Sequence, residues 1–213
     1  MADAAGRTPR GLHVLVLPSF YPNPDEPERG TFFRDAVHAA ARAGARVGVV
    51  AVHLAPLRHA GPVRWLGGLG FRLEEHDDDG VPTLFVHGAN PPLSARLSMR
   101  LHVAQWARAV RAYVARHGRP DLLHAHGVIW AGEAARRLAE RYDLPYLVTV
   151  HSTRFATGDL SRFKVARARR VFAEADRVLA MGSGSARTLE ADFSVAHVDV
   201  VPNAIDTRLF PAA

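Results

Sequence analysis

Short apolar runs and amphipathic stretches take turns along the chain. Residues 12–17 (LHVLVL) form a brief apolar run followed by Pro18, the pattern of a central parallel strand buried on both faces. A turn-rich loop from Ser19 to Gly30 carries Pro22, Pro24 and Pro27. Thr31 then opens a helical pattern whose stripe is Phe32, Phe33, Ala36, Val37, Ala40 and Ala43, closed by Gly44. Residues 46–53 (RVGVVAVH) read as a second strand, completing a strand–helix–strand unit. From 54 to 80 the periodicity fails, and Pro, Gly, a lone Trp65 and the acidic run Asp77, Asp78, Asp79 predict an insertion or long loop.

Strand character returns at 81–87, and a helix is predicted over 94–116 through Leu97, Leu101, Ala104, Val110 and Val114. The rest alternates: strand 121–125, helix 131–141, strand 145–150, helix 159–173, strand 177–180, helix 183–191 and strand 197–201. This alternation predicts an α/β fold, a single Rossmann-like doubly wound parallel sheet with helices on both faces and right-handed crossovers. Residues 1–10 read as a disordered start, 11–201 as the domain and 202–213 as a segment leading away from it.

Composition narrows the class. A chain of 213 residues suits one domain plus a tail, and a mean hydropathy of -0.06 with no apolar run near ~18 residues disfavours an integral membrane protein. The N-terminus lacks the pattern of a secretory signal, and the absence of cysteine removes disulfide and thiolate chemistry. A cytoplasmic location is expected, with any contact at the inner face of the membrane peripheral. The net charge of +6 comes almost wholly from arginine, Lys164 being the only lysine. Those arginines are dispersed without an aromatic-studded basic motif, so nucleic acid is not an expected partner.

Candidate chemistry gathers at strand ends. The first strand ends at Pro18 and Ser19 and leads through the loop to Gly30 and Thr31; another ends in DLLHAHG, and the next in TVHST. In a parallel sheet these ends share an edge, so Gly30, His126 and His151 are expected to face one crevice. Gly30 allows close backbone approach at a helix start, although a plain turn explains it equally well. His124 and His126 are read as pointing to opposite faces, which disfavours a metal site from the pair and leaves His126 as the ligand contact and His124 as structural. His151 suits a hydrogen bond to a sugar hydroxyl, or charge stabilisation through its carbonyl; a satisfied histidine at a strand end is the plain alternative. Ser183 and Ser185 read as helix caps, because the GxSxG of a hydrolase elbow fails in either register. The basic run 162–170 suits an anionic membrane or a phosphorylated ligand, with a solvated helix face as the ordinary explanation. Trp65, Leu66, Leu69 and Phe71 suggest either a lipid or acceptor contact or an insertion packed on the core.

The order of these motifs resembles the N-terminal domain of the retaining, GT-B family 4 glycosyltransferases. The resemblance is carried by LHVLVLPSFYPNPDEPERGTFFRDAVHAAARAGARVGVV, DLLHAHGVIWAGEAARRL, PYLVTVHS, ADRVLAMGSGSARTL and the closing VVPNAIDTRLF. It implies that the loop at Gly30 lies beside donor diphosphate and acceptor, and that His126 and His151 are crevice histidines. His151, nearer the reacting sugar, is then the catalytic candidate, with Ser19, Gly30, Thr31, His126 and Ser152 around the acceptor and donor crevice; Arg154, just after it, is an extra contact there without a family role of its own. The closing segment resembles an interdomain linker, so the C-terminal nucleotide-sugar domain is expected from a longer chain or a partner subunit. The implied reaction moves a hexosyl unit from a nucleotide-sugar to a hydroxyl of a saccharide, lipid-linked glycan or natural product. No metal and no cofactor beyond that donor substrate is expected. A non-catalytic binding or regulatory subunit of the same fold is the alternative; a self-contained nucleotide-binding enzyme is disfavoured by the missing GxGxxG.

Overall fold

The computed structural model describes residues 11–56, 70–91, 93–151 and 154–204. Expectations that fall on 1–10, Trp65, Leu66, Leu69, Ser152 and 205–213 lie outside the described residues. In chain order the elements are β1 (His13–Pro18), α1 (Thr31–Arg42), β2 (Arg46–Pro56), β3 (Arg72–Asp78), β4 (Val81–Asn90) and α2 (Ala95–His117). Then follow β5 (Leu122–His126), a π-helical turn (Val128–Gly132), α3 (Glu133–Tyr142), β6 (Tyr146–Val150) and the single turn α4 (Arg154–Thr157). Last come α5 (Arg162–Glu174), β7 (Arg177–Ala180), α6 (Ser183–Phe193) and the two-residue β8 (Asp199–Val200).

The eight strands among the described residues join one sheet in the order β3-β4-β2-β1-β5-β6-β7-β8. The α/β architecture with helices on both faces is as the periodicity predicts. β1 lies near the middle and is buried along its whole length, which is why Val14 to Leu17 are apolar on both faces. Val14 and Val16 pack with Phe33 and Val37 of α1 on one face, while Leu15 and Leu17 pack with Met99, Trp106 and Val110 of α2 on the other. Helices α3, α5 and α6 continue that second layer through Leu138, Val171 and Leu189. None of the described helices is long and apolar enough to cross a membrane.

One strand departs from the expected pattern. Residues 72–78 lie within the expected insertion, yet they form β3, antiparallel to β4 through pairs such as Glu74 with Phe85 and Asp78 with Val81. The strand escapes a hydrophobicity reading because RLEEHDD is an exposed, charged edge. Its turn is nevertheless written in the chain: Asp79 and Gly80 both take positive φ (51° and 86°), the two-residue hairpin geometry that Asp-Gly favours. The acidic run is therefore a strand end and hairpin turn. Asp78 accepts from Arg34 and from the Tyr21 hydroxyl at 2.7 and 2.8 Å, tying the hairpin to α1 and to the loop before it.

The helix layer is joined by one buried carboxylate. Glu133 is fully buried at the start of α3 and accepts hydrogen bonds from Arg136 at 3.1 Å, Arg137 at 2.8 Å and, across to α5, Arg167 at 3.3 Å. Arg136 also reaches Glu174 at 2.8 Å. Burial raises the Glu133 carboxyl pKa, but the guanidinium hydrogen bonds outweigh it and the net direction is down. Removing one partner of a buried, hydrogen-bonded ion network typically costs 3–5 kcal/mol, because the other charge is left uncompensated. Glu133→Ala is expected to lower the unfolding free energy by about 3 kcal/mol, measured by urea denaturation at pH 7. Because the folded pKa lies below the unfolded one, this contribution is present above the ordinary carboxylate range and is lost as pH falls through the folded value.

Candidate functional site

The chain leaves β1 toward β2 on one side and returns later to place β5 on the other, so the sheet's switch point lies between β1 and β5. Crevices for ligands form outside the carboxyl ends of strands at such points. Here the strand ends are bonded together: the Ser19 amide donates to the His126 carbonyl, and the Gly127 amide to the Thr149 carbonyl, both at 2.9 Å. β1, β5 and β6 thus present Ser19, His126 and His151 at one rim.

Three imidazoles meet there. His126 Nδ1 lies 3.1 Å from His151 Nε2, with the two rings stacked at 5.2 Å. The His124 ring lies 4.2 Å from that of His126, and its Nε2 lies 2.7 Å from the Thr149 hydroxyl. The expectation that His124 and His126 face opposite sides is therefore wrong: residues two apart on a strand share a face. Phe33 closes the cluster, edge-on to His126 at 5.3 Å and to His151 at 4.7 Å, and Phe32 lies 5.3 Å from His151. His126 is 4 % exposed, whereas His151 is only partly buried. Of the two, His151 stands nearer to solvent.

This environment keeps the imidazoles neutral. Burial pushes His151 down to about 4, and burial together with the nearby His151 does the same for His124. Burial first, then its two histidine neighbours, hold His126 well below the usual imidazole range. His151 Nδ1 is buried and has no hydrogen-bond partner among the described residues. A buried polar atom without a partner costs roughly 1–3 kcal/mol, so a group that satisfies it gains that much.

The loop from Ser19 to Gly30 is held by its own hydrogen bonds and by packing on the sheet. Asn23 Oδ1 accepts from the Asp25 and Glu26 amides, closing a local turn, and Tyr21 is buried against Phe85. Gly30 caps α1 with φ 86°, and a Cβ there would sit 2.8 Å from the Phe20 carbonyl oxygen. The residue is thus held to glycine by both its dihedral and the close approach of the loop. Gly127, at φ 104°, has a similar role at the end of β5, where a Cβ would collide with the Ser19 hydroxyl. The π-helical turn follows, closed by Gly132 N–H donating to the Gly127 carbonyl at 3.0 Å, and it sets Trp130 against His102. Such wide turns often mark functional sites.

The structure gathers Ser19, Gly30, His126 and His151, with Phe33 linking the glycine-led helix to both rings. Thr31 is exposed at the start of α1, and Arg154 is exposed in α4, within 3.7 Å of Asp159. Ser183 and Ser185 do not cap α6: Ser183 is its first residue, and no side chain caps the preceding Gly182. Phe33 and Thr149 are not among the sequence candidates for the site; Phe33 is there only one of the apolar stripe residues of α1. His38, Asp78 and Asp79 bring ligand atoms within 4.8 Å of one another. The Arg34 guanidinium already bridges both carboxylates, so these residues do not fit a cation.

A single, mostly parallel sheet whose strand ends converge at its switch point matches one half of a GT-B glycosyltransferase architecture. The chain belongs to Glycosyltransferase Family 4, whose family model matches residues 30–209. Among solved structures it resembles the Anabaena protein HepE in complex with UDP and glucose (TM-score 0.55, 16% identity, 93% of this chain and 46% of that one). It is also similar to the catalytic domain of Arabidopsis thaliana starch synthase IV bound to ADP and acarbose (TM-score 0.56, 14% identity, 95% and 54%). UDP-N-acetylglucosamine 2-epimerase from Rickettsia bellii shares the fold as well (TM-score 0.51, 12% identity, 91% and 45%). The chain spans about half the length of these structures. No curated protein matches it in sequence.

Two outcomes are expected. Gly30→Ala should lower stability by about 2 kcal/mol or more in urea denaturation, since a positive φ and a backbone clash coincide. In an NMR titration the His124 and His151 rings should stay neutral until pH approaches about 4. Their folded pKa values lie below the unfolded one, so the unfolded chain binds more protons in that interval. Unfolding free energy should therefore fall as pH drops from about 6.5 toward 4, by about 1.4 kcal/mol per pH unit for each such histidine.

Proposed function

We propose that this chain is the acceptor-binding, N-terminal part of a retaining glycosyltransferase that moves a hexosyl unit from a nucleotide-sugar to a hydroxyl acceptor. The observation that carries the reading is the neutral His126–His151 pair under Phe33 at the switch point of a family 4 chain. In this reading His151 meets the ligand, and His126 positions it from beneath. The same reading assigns Ser19, Gly30, Thr31 and Arg154 to the acceptor and donor crevice, and Ser152 from the sequence alone.

The charge state has a chemical purpose in this reading. Glycosyl transfer develops positive charge at the anomeric carbon, as in an oxocarbenium ion. A neutral imidazole can exchange hydrogen bonds with a sugar hydroxyl without adding a repelling cation, and the His151 carbonyl adds a negative dipole nearby. The departing nucleoside diphosphate needs the opposite, donors and cations aimed at its oxygens. A C-terminal donor domain, in the same chain or as a partner subunit, supplies those. The half-length coverage of the similar structures supports this division, as do the UDP and ADP bound in them. The isolated chain is then inactive. The acceptor is a saccharide, a lipid-linked glycan or a natural product; no metal or further cofactor enters the scheme. The reaction is placed in the cytoplasm, with any membrane contact peripheral.

The test supplies a donor-binding C-terminal half, fused or as a separate subunit, and follows sugar transfer from UDP- and GDP-hexoses to a panel of hydroxyl acceptors. Transfer is expected only with the donor half present, and His151→Ala should lower kcat/KM by about 100-fold or more while the fold, followed by circular dichroism, persists. Robust transfer by this chain alone would overturn the divided site. Unchanged transfer by His151→Ala would remove that residue from the chemistry.

A further inference from the structure

On the face of the sheet covered by α2, α3 and α5, opposite the histidine cluster, a groove of about 890 Å³ opens between the beginning of α2, α3 and α5. Arg96, Arg100, Arg137, Arg162, Arg167 and Arg170 line it, and among the described residues no acidic one does. We propose that this groove binds the phosphate or diphosphate group of a phosphorylated ligand.

The first support is charge without compensation. With Arg136 behind the wall, seven guanidinium groups are set against the carboxylates of Glu133 and Glu174. Arg96, Arg100 and Arg162 have no ion pair among the described residues. A single carboxylate ligand would leave most of this charge unmatched, whereas a phosphate ester or diphosphate brings two or three negative charges and many acceptor oxygens.

The second support is order. The buried Glu133 carboxylate accepts from Arg137 on one wall and Arg167 on the facing wall, and Arg167 also lies over the Phe163 ring at 5.4 Å. Guanidinium groups held in place suit two-pronged bonds to phosphate oxygens, and a ligand meeting them loses less side-chain entropy on binding. Ser94 and Ala95, at the N-terminal end of the long helix α2, also border the groove. That end adds the positive pole of its dipole. Buried Met99 and half-buried Phe163 give the groove an apolar lining beside the charges.

Such a phosphate belongs either to a soluble ester or to a lipid head group, and two probes separate them. Inorganic pyrophosphate is titrated calorimetrically, and vesicles of phosphatidylcholine with or without phosphatidylglycerol are co-sedimented with the protein. The groove variant is Arg96→Gln/Arg100→Gln/Arg162→Gln. A charge-matched control, Arg111→Gln/Arg141→Gln/Arg187→Gln, removes the same charge outside the groove. The groove variant should bind at least about tenfold more weakly than the native chain, and the control within about twofold. Saturable pyrophosphate binding that the groove variant loses assigns a soluble phosphate. Selective loss of phosphatidylglycerol-vesicle binding without pyrophosphate binding assigns a lipid head group. Equal weakening of both variants, or no saturable binding of either probe by the native chain, overturns the proposal. The three substituted arginines are exposed, and matched melting curves confirm the fold. Sugar transfer is not the readout, so the result is independent of the role given to His151.

Discussion

The pairing of β1 with β5 is the contact on which the remainder of the molecule depends. Five consecutive residue pairs, from Val14 with Leu122 to Pro18 with His126, lock two segments more than a hundred residues apart. The pairing is closed at both ends. At the amino end the His13 amide donates to the Asp121 carboxylate at 2.7 Å and the Asp121 amide to the His13 carbonyl; at the other end Ser19 bonds to His126. Without that register the histidines of β5 and β6 would not stand beside the loop that follows β1. The ladder that completes the core thus also assembles the crevice.

The two sides of this sheet have been given opposite electrostatic characters. On the α1 side, burial among Phe32, Phe33 and neighbouring rings strips the imidazoles of charge. On the side of α2, α3 and α5, guanidinium groups crowd together and are restrained by Glu133. Desolvation governs the first and charge pairing the second. A sheet only one residue thick separates groups that could not share a single pocket without shifting one another's protonation.

Much of the architecture was legible from the chain because its central strands are apolar on both faces and its helices carry single stripes. β7 was read to the residue, and α1 to within two. β3 was not, because an exposed edge strand has no reason to be hydrophobic, and its clearest mark was the Asp79-Gly80 turn. The convergence of Gly30, His126 and His151 followed from strand order alone. What the sequence did not disclose was the packing between them: Phe33 is indistinguishable from any other stripe residue until the helix is docked. The alternation of His124 and His126 was read with the wrong period. Nothing in the sequence marks Glu133 as buried except the arginines three and four residues on, Arg136 and Arg137, with which it pairs.

The charged edge strand β3 has a consequence for how copies of this protein behave in a crowded solution. A free strand edge is an open template for another backbone, and a parallel sheet this apolar would be a hazard if its margin were equally so. Here the margin is RLEEHDD, with Glu75 bonded to Arg116 and His117 and Asp78 fastened to Arg34. An incoming strand would have to lie along a row of solvated ions, and the hairpin cannot peel away to receive it without breaking those pairs. The polar border that hid this strand from a hydrophobicity reading is thus a barrier to fibril-like stacking at that margin.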